Sequence, residues 1–277
     1  MYRVSKVLNN NGVIAIDMDE NKEYVILGKG VGFGKKVSQR FDKPEGCTTY
    51  RLEQETERGS AKELVKGIEP EYLEIADAIL TESQKVFGDS IDRGILFPLA
   101  DHISFAVARI RRNEQISNPL TEDIKVLFYS EFKVAETLKT ILRERLQIEI
   151  DDHEVGYVAL HIHSAIGDEK VSVAMQTAKA VRECIDMIEK ATGKPIDVLS
   201  LSYNRLMNHM KYMVARASTG EKLNLDMNEY MLDQYPQAYK VATDICKNLE
   251  GCIGHKLDET ETGYLAMHIQ RVYKGAV

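Results

Sequence analysis

Four histidines in this 277-residue chain recur at one interval. His102 in LADHISFAVARI and His161 in EVGYVALHIHSA lie 59 residues apart, and His209 in LMNHMKYMVARA and His268 in ETGYLAMHIQRV lie 59 apart again. The second pair is therefore displaced from the first by 107 residues. At that offset residues 151–162 (DDHEVGYVALHI) fall without a gap on residues 258–269 (DETETGYLAMHI), with seven of twelve positions identical. EFKVAETLKTIL, from Glu131, likewise falls on AYKVATDICKNL, from Ala238. A duplicated fold needs to keep only its apolar spacing. Keeping two histidines in register as well points to imidazole chemistry, present or past, in both copies.

The neighbours of these histidines narrow that chemistry. Arg109 follows His102 by seven residues, two helical turns along the same face, and Arg216 stands in the same relation to His209. His161 and His268 each follow Gly-Tyr-x-Ala-x, with Glu154 and Glu261 seven residues earlier. Asp101 adjoins His102, whereas Asn208 adjoins His209. One reading is plain: core histidines that satisfy one hydrogen bond each. A metal site is suggested by His161 and His163, but alternate spacing chelates poorly from one helix, and the second copy has Gln270 in place of His163. General acid–base catalysis lacks a nucleophile motif to serve. Phosphoryl acceptance fits a neutral imidazole nitrogen, a good nucleophile near pH 7, and the phosphate would add nearly two negative charges able to recruit an arginine or repel a partner.

A second chemical feature lies near the start of the chain. Gly28, Gly30, Gly32 and Gly34 alternate with Lys29, Val31 and Phe33 and are closed by Lys35 and Lys36. The run is no phosphate loop, since it lacks GxxxxGK[ST] and no GxGxxG leads into a helix. A glycine-rich turn flanked by lysines suits RNA better, with amides and lysines meeting phosphates and Phe33 offering a face to a sugar or base. The same spacing fits a bulged hairpin with Phe33 in the core.

The elements that position these residues change character along the chain. RVSKVLN and GVIAIDM read as strands joined by a turn at Asn9, Asn10, Asn11 and Gly12, and EYVILGKG reads as a third strand running into the glycines. From about Ala61 apolar residues recur at spacings of three and four, in EYLEIADAILTESQKVFG, TEDIKVLFYSEFKVAETLKTILRERL and TAKAVRECIDMIEKATG. The expected architecture is multidomain: a small antiparallel β-module followed by two tandem all-α helical bundles. The boundaries are expected near residues 57–60 and 167–170.

Composition bounds the class. With 44% hydrophobic and 29% charged residues, the chain has the composition of a soluble globular protein. Four scattered cysteines, without a CxxC pair, read as reduced thiols of a cytoplasmic protein. No apolar run reaches the length of a membrane span, and MYRVSKVLNNN lacks a signal-peptide core, so no membrane insertion is expected. The net charge of −7 is uneven: residues 1–55 hold nine Lys/Arg against eight Asp/Glu, about +1, and the rest sum to −8. Only the front module could approach a polyanion without repulsion.

On KVLNNN at residues 6–11 and GKGVGFGKK at residues 28–36, the front module resembles the co-antiterminator RNA-binding domain of the BglG/SacY family of bacterial transcription antiterminators. LADHISFAVARI, EVGYVALHIHSA, NHMKYMVARA and TGYLAMHIQRV resemble the PTS regulation domains that follow it in the same family, in the same order. The resemblance implies an RNA-binding domain over 1–56 and regulation domains over 61–168 and 169–277. The RNA-contacting positions it implies are Lys6, Asn11, Gly28, Lys29 and Phe33. Many members have arginine at position 29, and lysine cannot reproduce its bidentate contacts. The regulatory histidines it implies are His102, His161, His209 and His268, with His153, His163 and His255 outside the pattern. The wording of residues 28–36 is nearest the glucose-operon branch. The implied function is a dimeric, cytoplasmic RNA-binding antiterminator of a sugar-utilisation operon. Its implied partners are a hairpin in nascent leader mRNA and two phosphoryl donors, HPr and a sugar-specific permease (EIIB). No enzyme activity, cofactor, metal or DNA target is implied. The alternatives are a histidine-based phosphotransfer enzyme or metal-dependent hydrolase, and a DNA-binding activator, although residues 1–55 hold no helix-turn-helix segment.

Overall fold

A computed structural model describes residues 1–53, 55–56, 59–114, 116–167, 170–193, 195–196 and 200–274. The expected module boundaries near 57–60 and 167–170 fall partly outside the described residues.

The chain opens as a five-stranded antiparallel sheet. Strands β1 (Tyr2–Asn9), β2 (Gly12–Asp17), β3 (Lys22–Leu27), β4 (Arg40–Phe41) and β5 (Thr48–Arg51) lie in the order β4-β1-β2-β3-β5. Alternation places Val4, Val13, Ala15 and Ile26 in one core, joined by Val31, Phe41 and Cys47 from the loops. The β1–β2 register shifts twice, between Val4 and Lys6 and between Val7 and Asn9. These irregularities accompany the approach to the asparagine turn. Glu55–Thr56 and Gly59–Ser60 form a short separate ladder.

The helices follow. In order they are α1 (Ala61–Gly67), α2 (Pro70–Phe87), α3 (Leu96–Arg111), α4 (Thr121–Leu127), α5 (Tyr129–Ala135), α6 (Thr137–Leu146), α7 (Asp152–Gly167), α8 (Val171–Thr192), α9 (Leu201–Thr219), α10 (Asn228–Gln234), α11 (Pro236–Ile253) and α12 (Thr260–Lys274). Their ends carry ordinary signals. Pro70 starts α2, the Ser200 side chain accepts from the Tyr203 amide at the start of α9, and Gly220 closes α9 at φ 73°. The long periodic run over residues 121–146 is broken into three helices. Phe128 leaves helical geometry at φ −116°, ψ 47°, and Leu127, Phe128, Phe132 and Leu138 are all buried. Apolar periodicity records which residues are buried, not whether one axis carries them all.

Contacts gather the chain into two units. The first comprises residues 1–118 and 130–170, the second residues 119–129 and 171–277. Within the first unit the sheet is anchored to the helices through Tyr50. Its ring lies edge-on to Phe97 at 6.4 Å, its hydroxyl accepts from Arg93 Nη2 at 2.8 Å and donates to Asp77, and Lys62 pairs with Glu23. Within the second unit α4 lies against α8 and α9, and the Tyr203 hydroxyl donates to the buried Asp123 at 3.0 Å. Among the described residues no helix is long and apolar enough to cross a membrane.

Candidate functional site

The repeated histidines meet in pairs. His102 on α3 and His161 on α7 have ring centres 5.4 Å apart, inclined at 45°. His209 on α9 and His268 on α12 stack at 4.8 Å and 21°. Each pair takes a third ring from the Gly-Tyr motif, Tyr157 at 5.7 Å from His102 and Tyr264 at 5.6 Å from His209. The acid of each motif faces the histidine of the other helix. Glu154 Oε2 lies 3.4 Å from His102 Nε2, while its Oε1 accepts from Arg109 Nη2 at 2.7 Å. In the second copy Glu261 Oε2 lies 3.7 Å from His209 Nε2, and Arg216 donates Nε and Nη2 to the two carboxylate oxygens at 2.6 and 2.9 Å. The spacing explains itself: two turns of one helix set histidine and arginine on one face, and the facing helix supplies the carboxylate between them.

The electrostatics favour an ionised acid at Glu154 and neutral rings at His209 and His268. Burial would raise the Glu154 carboxyl, but the His102 contact and the Arg109 guanidinium outweigh it and hold the group below the usual range. Burial, reinforced by His268 and Arg216, pushes His209 down to about 3. His268 falls to about 4 through burial and then the nearby Arg271 and Arg205. A neutral ring retains the lone pair a nucleophile needs. His102 Nε2, His209 Nε2 and Glu154 Oε2 are buried without a well-formed hydrogen bond, and such groups are uncommon in a settled core. Three of the four rings are closed off: His102, His161 and His209 are 7%, 6% and 8% exposed, and His268 is half-buried. The remaining histidines do other work or stand in solvent. His163 Nδ1 meets Glu131 Oε1 at 2.9 Å, His153 Nδ1 accepts from the Asn118 amide at 3.3 Å, and His255 is exposed.

At the opposite end of the chemistry, two loops of the sheet are tied into one surface. The Gly28 amide donates to Asn11 O at 2.9 Å, the Gly32 amide to Asn10 O at 3.0 Å, and the Gly30 amide to Asn11 Oδ1 at 3.0 Å. The two loops approach so closely that a Cβ on Gly32 would lie 2.0 Å from Asn9 O. Gly30 and Gly34 adopt positive φ and turn the loop outward. Val31 is the residue that enters the core, and Phe33 stands 74% exposed, so the core reading of Phe33 is overturned. Lys29 is exposed on the same loop, Gly28 and Asn11 are half-buried, and Lys6 is exposed on β1 at the first register shift. Asn11, Gly28, Lys29 and Phe33 are thus gathered by the paired loops.

Models of known families fit this layout. A CAT RNA binding domain matches residues 2–59, and a PRD domain matches residues 77–165 and 182–272. The GlcA/glcB genes antiterminator of Staphylococcus carnosus is 30% identical over 97% of this chain and 94% of its own length. The chain belongs to the BglG/SacY family of antiterminators. Members of that family are RNA-binding regulators of transcription governed by the phosphotransferase system rather than enzymes. Transcription antiterminator LicT of Bacillus subtilis is 27% identical over 99% of this chain and all of its own. A solved structure, described as the crystal structure of GlcT CAT-PRDI, superposes with a TM-score of 0.52 at 29% identity, covering 60% of this chain and 98% of that one. The wording shared with glucose-operon members is borne out by these relatives.

Four participants have roles that the sequence alone does not show. Glu154 and Glu261 were visible as repeated acids, but their partners lie on another helix. Tyr157 and Tyr264 sat in the repeated motif, and their stacking on the first histidine of each pair follows only from the helix pairing.

Proposed function

We propose that this chain is the antiterminator of a sugar-utilisation operon of the glucose type, acting in the cytoplasm as a homodimer. Its β-module binds a hairpin in nascent leader mRNA through Lys6, Asn11, Gly28, Lys29 and Phe33. His102, His161, His209 and His268 accept phosphoryl groups, the first pair from a sugar-specific permease (EIIB) and the second from HPr. The observation that carries the RNA reading is Phe33, a large ring exposed to solvent between lysines on a loop braced by the asparagine turn. Covering an exposed ring releases free energy, and nucleic-acid bases stack on such rings.

The regulatory half of the reading is supported by the duplicated pairing of histidine rings, three of the four of them buried. Phosphate on His102 would place nearly two negative charges beside the Glu154 carboxylate and compete with it for Arg109. The facing helices α3 and α7 must move both to admit a donor and to accommodate the product. Dimerisation multiplies a small RNA surface, because a second linked contact binds as if at high local concentration. A shift of a few kcal/mol in the arrangement of helices is then enough to switch RNA binding.

Titration of a short leader hairpin into the full chain tests the RNA face. Phe33→Ala should weaken binding by about 1–3 kcal/mol, the usual worth of one base stacked on a ring. Lys29→Ala should weaken it and reduce the salt dependence by about one counterion. Equal affinity for wild type and both variants would show that RNA, if bound, lies elsewhere.

A further inference from the structure

The asparagine turn is already occupied. Asn9 Nδ2 donates to Glu74 Oε1 at 2.7 Å, and Asn11 Nδ2 donates to Glu74 Oε2 at 3.2 Å, so one carboxylate of α2 takes both amides. The oxygens of those amides are spent within the β-module, Asn9 Oδ1 on the Asn11 amide at 2.8 Å and Asn11 Oδ1 on the Gly30 amide at 3.0 Å. The outward-facing donors that remain are the two NH₂ groups, and Glu74 accepts from both. Arg145 stands 3.6 Å from Glu74 Oε2 and steadies it, and the Glu74 side chain is only 19% exposed. The contact lies inside the first unit, where the sheet and α2 belong together.

A carboxylate and a phosphodiester present the same pattern to such donors: two oxygens sharing one negative charge. We infer that Glu74 is an intramolecular competitor of RNA, holding at Asn9 and Asn11 the place that a backbone phosphate takes in the complex. This rests on the RNA-face reading of residues 6–33. While Glu74 is in place, it engages both NH₂ groups, and a negative charge sits on a surface that must accept a polyanion. RNA therefore binds fully only when α2 moves away from the turn. The helical module thereby has a direct grip on the β-module, through one side chain.

The test compares full-length wild type with Glu74→Gln and Glu74→Ala in titrations with one leader hairpin, with Lys29→Ala as the control for the RNA face. Removing the carboxylate should raise hairpin affinity about three- to tenfold, and the gain from Glu74→Ala should be smaller in an Asn11→Ala background. Glu74→Gln preserves shape and folding while removing the charge, so a gain there cannot come from a disordered helix. If Lys29→Ala weakens binding but both Glu74 variants bind as wild type or more weakly, Glu74 merely braces the turn and the inference fails. If Lys29→Ala has no effect, the RNA-face reading has failed, and the inference falls with it. Binding by the Glu74 variants where wild type shows none would be the strongest support.

Discussion

His209 shows how much one side chain can report. Its ring is 8% exposed, Tyr264 and His268 stack against it, and burial first, then His268 and Arg216, hold it at about 3. In the unfolded chain the same imidazole titrates near its ordinary value of about 6.5. Below that pH the unfolded state binds a proton that the folded state refuses. The stability from His209 is therefore complete above about pH 6.5 and is lost as pH falls toward 3. Between pH 7.5 and 5.5 the loss should be about 1 kcal/mol. Thermal melts of wild type and His209→Gln over this range should show the wild type losing stability faster; parallel curves would mean that the ring is protonated when folded. The identity of this residue as special was legible in the sequence, from an interval repeated to the residue. Its neutrality was not, because burial and the partner on the facing helix are properties of packing.

Glycines and breaks decide what the elements can do. Gly263, in the repeated Gly-Tyr motif of α12, lets the start of α10 lie directly on that helix: an added Cβ would sit 2.7 Å from the Asn228 amide nitrogen and the Met227 carbonyl carbon. Backbone cannot yield as a side chain does, so Gly263→Ala should cost about 1–3 kcal/mol. Gly251, on α11 with nothing near the position of its missing Cβ, is the contrasting case. Gly251→Ala should be neutral or stabilise by up to about 1 kcal/mol. Chemical denaturation of both variants checks the pair, and equal effects would contradict the close approach of α10 and α12. Helix α4 marks the limit of sequence reading at this scale. By the 107-residue offset it corresponds to α10, yet it lies against α8 and α9, with Asp123 buried under the Tyr203 hydroxyl where α10 has the exposed Tyr230. Periodicity foretold a helix over these residues. The substitution of a buried acid for a tyrosine, which accompanies its different seat, has no periodic signature.

For the whole molecule, the division of charge is the organising fact. The β-module is nearly neutral and carries Lys29, Lys35 and Lys36 at the glycine loop, while the remaining 222 residues sum to −8 and hold the histidine pairs. The order of domains, the antiparallel module and the helical repeats were all legible from strand alternation, helical spacing and the internal duplication. The packing of the β-module on α2 through Tyr50 and Glu74 was not, since neither residue belongs to a repeated or glycine-rich pattern. On the proposed reading, phosphate added to the first pair would enlarge an already negative body and disturb the helices on which the RNA module rests. The most direct measurement is the affinity of the full chain for one leader hairpin, before and after phosphorylation through Enzyme I, HPr and the permease component, with His102→Ala in parallel. Hairpin binding that falls about tenfold or more on phosphorylation, a change of about 1.4 kcal/mol, and that His102→Ala preserves, is the predicted result. Unchanged affinity in a chain shown by phosphopeptide mass spectrometry to carry phosphate on His102 would contradict it.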